Sequence, residues 1–178
     1  MLLHLVRHTK PLIAEGICYG QSDVAVSLSE SRHLAAVLQQ TLPLDVPVYT
    51  STLQRCAIPA RLLHPAAKLD PRLMEFNFGS WELCRWEQIP RLEIDAWAQD
   101  AAGYQPGGAE NLLQMIARIR TFIAELEAQA VTEAILICHA GVMKILSCWH
   151  ATDDTAIAQA VIAARQTFPY GSTLKIVL

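Results

Sequence analysis

Residues 1–9, MLLHLVRHT, decide how the rest of the chain is read. Leu2 to Val6 is a short, largely apolar run that stops at Arg7-His8. A run of that length without polar alternation is what a central parallel strand, buried on both faces, looks like. Downstream, helices and strands take turns. Ser27, followed by Glu30 and an apolar-periodic stretch, opens an amphipathic helix to about Leu42 that Pro43 ends. Val46–Tyr49 reads as a second strand. Ser51 with Gln54 repeats the capping-box pattern for a helix to about Leu63, bent or shortened by Pro59.

The middle is less regular. Ala66–Leu69 is predicted as a short edge strand, and Leu73–Trp86 carries aromatics without a clean period. A helix follows Pro90, since proline suits a first turn, and Gly107-Gly108 breaks the chain. Leu112, Leu113, Ile116, Ile119, Ile123 and Leu126 then mark one face of a long helix. Ala134–Cys138 is another buried strand, ending at His139 ahead of Gly141 and a helix to about His150. Asp153 or Asp154 caps one more helix, and Thr173–Val177 makes the last strand.

This alternation predicts an α/β fold of three layers, α/β/α, with a mostly parallel sheet. In such sheets ligands bind outside the carboxyl ends of the strands. Arg7-His8 follows the first strand, Ser51–Arg55 the second and His139 the strong late one. Three polar segments able to meet a phosphate therefore fall at one crevice.

Composition narrows the class. A chain of 178 residues suggests one domain, residues 1–178, large enough for a core without a disulfide or metal staple. With 52% hydrophobic and 17% charged residues it is neither disordered nor fibrous. A net charge of -3 offers no basic excess for nucleic acid. No apolar run is long enough to span a bilayer, and the N-terminus does not read as a signal peptide, so the expected location is cytoplasmic. The five cysteines are odd in number and none stand at C-x-x-C spacing, which argues against a disulfide framework or a thiolate zinc site.

Taken singly, a histidine after a strand is a common structural residue. The joint pattern is not: L-V-R-H at 5–8, S-T-L-Q-R at 51–55, L-M-E-F-N-F-G-S-W-E at 73–82 and C-H-A-G at 138–141 come in order, three of the four after strands. With these motifs the sequence resembles the histidine phosphatase (phosphoglycerate mutase-like) superfamily over nearly its whole length. Gly16-Ile17-Cys18-Tyr19-Gly20-Gln21-Ser22-Asp23 and Pro106-Gly107-Gly108 are most similar to its α-ribazole phosphatase branch.

The resemblance implies a phosphoglycerate mutase-like fold, with residues from about 76 to 130 forming a helical lid region. It implies that His8 is the nucleophile, Arg7 and Arg55 the phosphate clamps, His139 a donor to the phosphoryl group and Glu75 the general acid and base. Thr9, Gly20, Gln21 and Ala140 are expected to line the phosphate and substrate site. Two departures stand out: Thr9 replaces the glycine of the first motif, and Ala140 the first glycine after the second histidine. Thr9 either adds a hydroxyl donor beside the phosphate or crowds it.

The chemistry suits these residue types. Phosphoryl transfer is mostly positioning and electrostatic stabilisation, and a guanidinium fork grips phosphate oxygens bidentately where lysine cannot. A neutral imidazole can attack phosphorus and carry the phosphoryl group covalently. No cofactor is expected and no metal, because arginines and histidines supply the charge and no Asp/His cluster suits two divalent ions. The expected partner is a small-molecule phosphomonoester, α-ribazole 5′-phosphate foremost, with Tyr19, Phe76, Trp81 and Trp86 as candidate stacking partners; a homodimer is a further expectation. The alternatives are a sugar-phosphate phosphatase or mutase of the same superfamily and a non-catalytic phosphate-binding module. A dinucleotide-binding protein is disfavoured, because no G-x-G-x-x-G turn follows the first strand.

Overall fold

The computed structural model describes residues 1–150 and 153–178. Five strands form one sheet: β1 (Leu2–Arg7), β2 (Val48–Thr50), β3 (Lys68–Leu69), β4 (Glu133–Cys138) and β5 (Thr173–Val177), in the order β3-β2-β4-β1-β5. The first four are parallel, and β5 runs antiparallel to β1 at one edge. Among the described residues there are six α-helices: α1 (Leu28–Thr41), α2 (Gln54–Leu63), α3 (Arg91–Gln99), α4 (Leu112–Ala128), α5 (Ala140–Ser147) and α6 (Asp154–Ala163). The architecture is the expected three-layer α/β/α sandwich with a mostly parallel sheet.

The first strand shows why the layers form. Leu3 and Leu5 join one core with Met115, Ile116 and Ile119 of α4, Val142 of α5 and Ile157 of α6. Val6 joins the other, with Leu34 and Leu38 of α1 and Cys56, Ala60 and Leu63 of α2. The apolar run thus divides its side chains between two helical layers, as the strand period requires. A third, smaller cluster joins Cys18, Trp81 and Ile89, with Phe78, Trp97 and Tyr104 packed on it. Of the stretch expected to form a lid, α4 lies in the main core, while α3 and the 3-10 turns at Gly79–Trp81 and Trp86–Gln88 surround this aromatic cluster.

Capping follows the sequence reading at two helices: Ser27 accepts from Glu30 N and Asp153 from Ala156 N. At α4, Asn111 and Gln114 close a full capping box that the sequence reading did not name. At α2 the capping does not follow it. Leu53 is the cap residue, and Gln54 N donates to Asp23 Oδ1 (2.8 Å), a cap supplied by a distant loop. Ser51 Oγ accepts from Leu53 N (3.3 Å) and has a further contact at the carboxyl edge of the sheet. The second strand begins at Val48 rather than Val46, and α5 ends at Ser147 rather than near His150. Among the described residues no helix is long and apolar enough to cross a membrane.

Register sets the site. Arg7 pairs with Cys138 across β1 and β4, and Thr50 with Ile137 across β2 and β4, so three parallel strands end level. The ladder continues one step beyond them: His8 N donates to Cys138 O (3.1 Å) and Ser51 N to Ile137 O (3.2 Å). His8, Ser51 and His139 consequently leave the sheet side by side.

Candidate active site

The two imidazoles meet edge to face, ring centroids 5.0 Å apart. His139 and Arg55 are fully buried and His8 is 2% exposed. His8 Nδ1 lies 2.6 Å from Thr9 O. A carbonyl can only accept, so Nδ1 carries the hydrogen and Nε2 keeps the free lone pair. Burial, reinforced by the Arg55 and Arg7 guanidinium charges and opposed by the Thr9 hydrogen bond, lowers the His8 pKa to about 3. His139 is also pushed well below the usual imidazole range, by burial first, then by His8 and the arginines. Its Nδ1 accepts from Arg55 Nε (3.4 Å), so Nε2 donates to Ser51 Oγ (2.9 Å). Both imidazoles are therefore neutral at pH 7.

The two arginines are not neutralised. Arg55 donates through Nη1 to Ser22 O (2.8 Å) and through Nη2 to Gly20 O, with its guanidinium carbon 5.2 Å from the Tyr19 ring centroid. Arg7 Nη1 donates to Phe168 O, and its guanidinium lies 3.9 Å over the Tyr170 ring. Among the described residues neither arginine forms an ion pair, whereas Arg72, Arg118 and Arg120 all do. Arg7 Nε and Thr9 Oγ1 are buried without any hydrogen-bond partner. Two cations and two orphaned donors thus gather around neutral histidines. An anion with several acceptor oxygens would satisfy both deficits.

Glu75 approaches from the other side. Its Oε1 accepts from Phe76 N (3.0 Å) and its Oε2 from Gly141 N (3.3 Å) at the start of α5. A Cβ built on Gly141 would overlap Oε1, so glycine there admits the carboxylate. Ala140 is the first residue of α5, directly after His139.

The loop of residues 16–26 closes the remaining side. Gly20, at φ +30, offers its carbonyl to Arg55, and a side chain there would strike Glu82 and the Phe76 carbonyl. Gln21 does not turn to the arginines: its Nε2 donates to Glu75 O (2.9 Å). Next to Glu75 opens a cavity of about 300 Å³, whose walls include Tyr19, Phe76, Trp86, Gly141 and Lys144. Trp81, expected as a stacking residue, is buried in the third cluster and donates to Glu93 Oε2 (2.6 Å), so it does not line the cavity.

Sequence reasoning missed two contributors. Ser51, which the sequence reads as a helix cap, accepts from Leu53 N and also holds His139. Tyr170 packs against His8 at 5.6 Å as well as on Arg7, and its hydroxyl meets that of Tyr19 at 3.0 Å. The sequence signal for Tyr170 is faint, namely an aromatic beside Gly171 just ahead of the last strand.

Fold and site together define an α/β protein of the phosphoglycerate mutase-like class, with paired histidines and arginines at the carboxyl edge of its sheet. The chain belongs to the histidine phosphatase superfamily (branch 1), which residues 3–163 match. It is 28% identical over 159 residues to the adenosylcobalamin/alpha-ribazole phosphatase of Salmonella typhimurium, an alignment covering 82% of this chain and 77% of that one. The crystal structure of the alpha-ribazole phosphatase from Shigella flexneri superposes with a TM-score of 0.80 at 22% identity, covering all of this chain and 91% of that one. A mycobacterial glucosyl-3-phosphoglycerate phosphatase superposes with a TM-score of 0.78 at 24% identity, covering 98% and 88%. At those identities the two structures establish the shared fold.

Proposed function

We propose that this chain is a phosphomonoesterase that works through a phosphohistidine on His8, needs no metal, and has α-ribazole 5′-phosphate as its substrate. The observation that carries the reaction class is the pair of arginines without carboxylate partners beside an imidazole whose Nε2 is free. A phosphate dianion supplies the missing countercharge, and its oxygens give acceptors to Arg7 Nε and Thr9 Oγ1.

The steps then follow from the groups present. His8 Nε2 attacks phosphorus while the bond to the ester oxygen breaks, and the Arg7 and Arg55 charges stabilise the equatorial oxygens. Glu75, protonated, gives its proton to the departing alkoxide and becomes the carboxylate. That carboxylate then takes a proton from water as the water attacks the phosphohistidine. Inorganic phosphate leaves, and His8 returns to its neutral form. His139, with its proton on Nε2, turns that donor from Ser51 to a phosphoryl oxygen.

Two facts support the substrate. The Salmonella relative bears the alpha-ribazole phosphatase name, and Tyr19, Phe76 and Trp86 line the cavity beside Glu75, where a flat aromatic base fits. The test is phosphate release from α-ribazole 5′-phosphate and a panel of small phosphomonoesters, with chelator present, for wild type, His8→Ala and Glu75→Gln. Strong preference for α-ribazole phosphate, lost in His8→Ala, is expected. Even activity over the panel would keep the phosphatase and remove the substrate. Phosphate binding without release from any ester would make the chain a binding module.

A further inference from the structure

We infer that Arg118 and Glu110 form a positioning pair for Glu75, fixing the acid through its backbone; this rests on the reading of Glu75 as the general acid. Arg118, on α4, directs both terminal nitrogens of its guanidinium at the segment that carries Glu75. Its Nη2 donates to Glu75 O (3.0 Å) and its Nη1 to Arg72 O (2.6 Å). Its Nε and Nη2 reach Glu110 Oε1 (2.7 Å) and Oε2 (3.1 Å) in a bidentate fork. Glu110 in turn accepts from Asn77 N (3.0 Å). One ion pair therefore holds the chain at residues 72, 75 and 77, on both sides of the acid and at the acid itself.

The pair is built to hold rather than to shield. Both side chains are largely buried, 18% and 11% exposed, and a bidentate guanidinium–carboxylate fork fixes direction as well as distance. Neither touches the cradle. No Arg118 or Glu110 hydrogen bond goes to His8, His139, Arg7 or Arg55. Apart from the Arg118 charge, which is one of those that hold His139 neutral, their effect on the reaction runs through where the Glu75 carboxylate sits against Gly141 N.

That route predicts a selective defect. A general acid matters most when the leaving oxygen is a poor leaving group, and least when it departs unaided. Arg118→Met and Glu110→Gln should slow an alkyl phosphate roughly 10- to 100-fold in kcat, part of the ~10²–10⁴-fold a general acid supplies. With p-nitrophenyl phosphate, whose phenolate leaves readily, the loss should stay within about threefold. Arg118→Lys should not restore the alkyl rate, because a compact ammonium lacks the planar fork that reaches Arg72 O, Glu75 O and both Glu110 oxygens at once.

Melting curves of each variant run alongside. Equal losses on both phosphates, or none, overturn the positioning role. Full alkyl activity in Glu75→Gln overturns the acid itself, a different failure that appears in a different variant. A crystal structure of Arg118→Met decides independently of turnover: Glu75 displaced from the Gly141 amide supports the inference, and Glu75 unmoved removes it. A wild type inert towards both esters removes the acid role and with it this positioning role.

Discussion

At Gly141 the backbone amide donates to one oxygen of Glu75, and the space a Cβ would need is filled by the other. The obstacle is the end of a flexible side chain, not backbone. Gly141→Ala should therefore leave the fold intact, and alanine in a helix is favoured over glycine by up to ~1 kcal/mol. The expected result is an unchanged or slightly raised melting temperature, with alkyl-phosphate turnover down about tenfold or more as Glu75 is pushed from its place. Calorimetry and phosphate release on one preparation check both halves. A melting temperature that falls in step with activity would mean that the added methyl disturbs the helix rather than the acid. In the H-A-G sequence at 139–141, the glycine at 141 is the position whose amide and open Cβ site meet Glu75.

The loop of residues 16–26 is held as an element by Glu82. Its carboxylate accepts from Gln21 N (2.7 Å), from the amide and hydroxyl of Ser22, and from Phe78 N (3.1 Å). Arg55 and Asp23 tie the same loop to α2, through Ser22 O and through the amide of Gln54. In Glu82→Gln one oxygen becomes an NH₂ group facing donors, and leaving a partly buried donor unmet costs roughly 1–3 kcal/mol. Faster amide exchange at Gln21 and Ser22 is expected, with β1 and β4 unchanged; exchange that stays slow in the loop would show that Arg55 and Asp23 hold it without Glu82.

This is also where the sequence was least legible. Periodicity, strand-sized apolar runs and the start signals at Pro90 and Asp153 located the five strands and six α-helices of the described residues. Each is a local signal along one segment, and the 3-10 turns were not read. Arg7, His8, Arg55 and His139 lie together because strand ends in a parallel sheet point to one edge. What stayed hidden depends on contacts between distant segments. Asp23 took the capping place that Ser51 was given, and β5 brought Tyr170 to His8 through an antiparallel pairing with no local signature.

On the scale of the whole molecule, the fold encloses two imidazoles that it keeps uncharged. His8 titrates at about 3 in the folded chain and His139 well below the ordinary value, both chiefly through burial. In the unfolded chain each titrates near ~6.5. Between those limits the unfolded state binds more protons than the folded one, so stability is full above pH 6.5 and declines as pH falls towards 3. The slope approaches about 1.4 kcal/mol per pH unit for each imidazole. Working between pH 7 and 5 keeps most carboxylates ionised in both states, which leaves the histidines to dominate. Urea midpoints should therefore drop steadily across that range in wild type, and His8→Asn should show a shallower decline whatever its absolute stability. The slope, not the midpoint at one pH, is the informative quantity, because the substitution alters packing at every pH while only the lost imidazole alters proton uptake. A profile in His8→Asn as steep as that of wild type would mean that His8 takes up its proton as readily folded as unfolded, against its burial between two arginines.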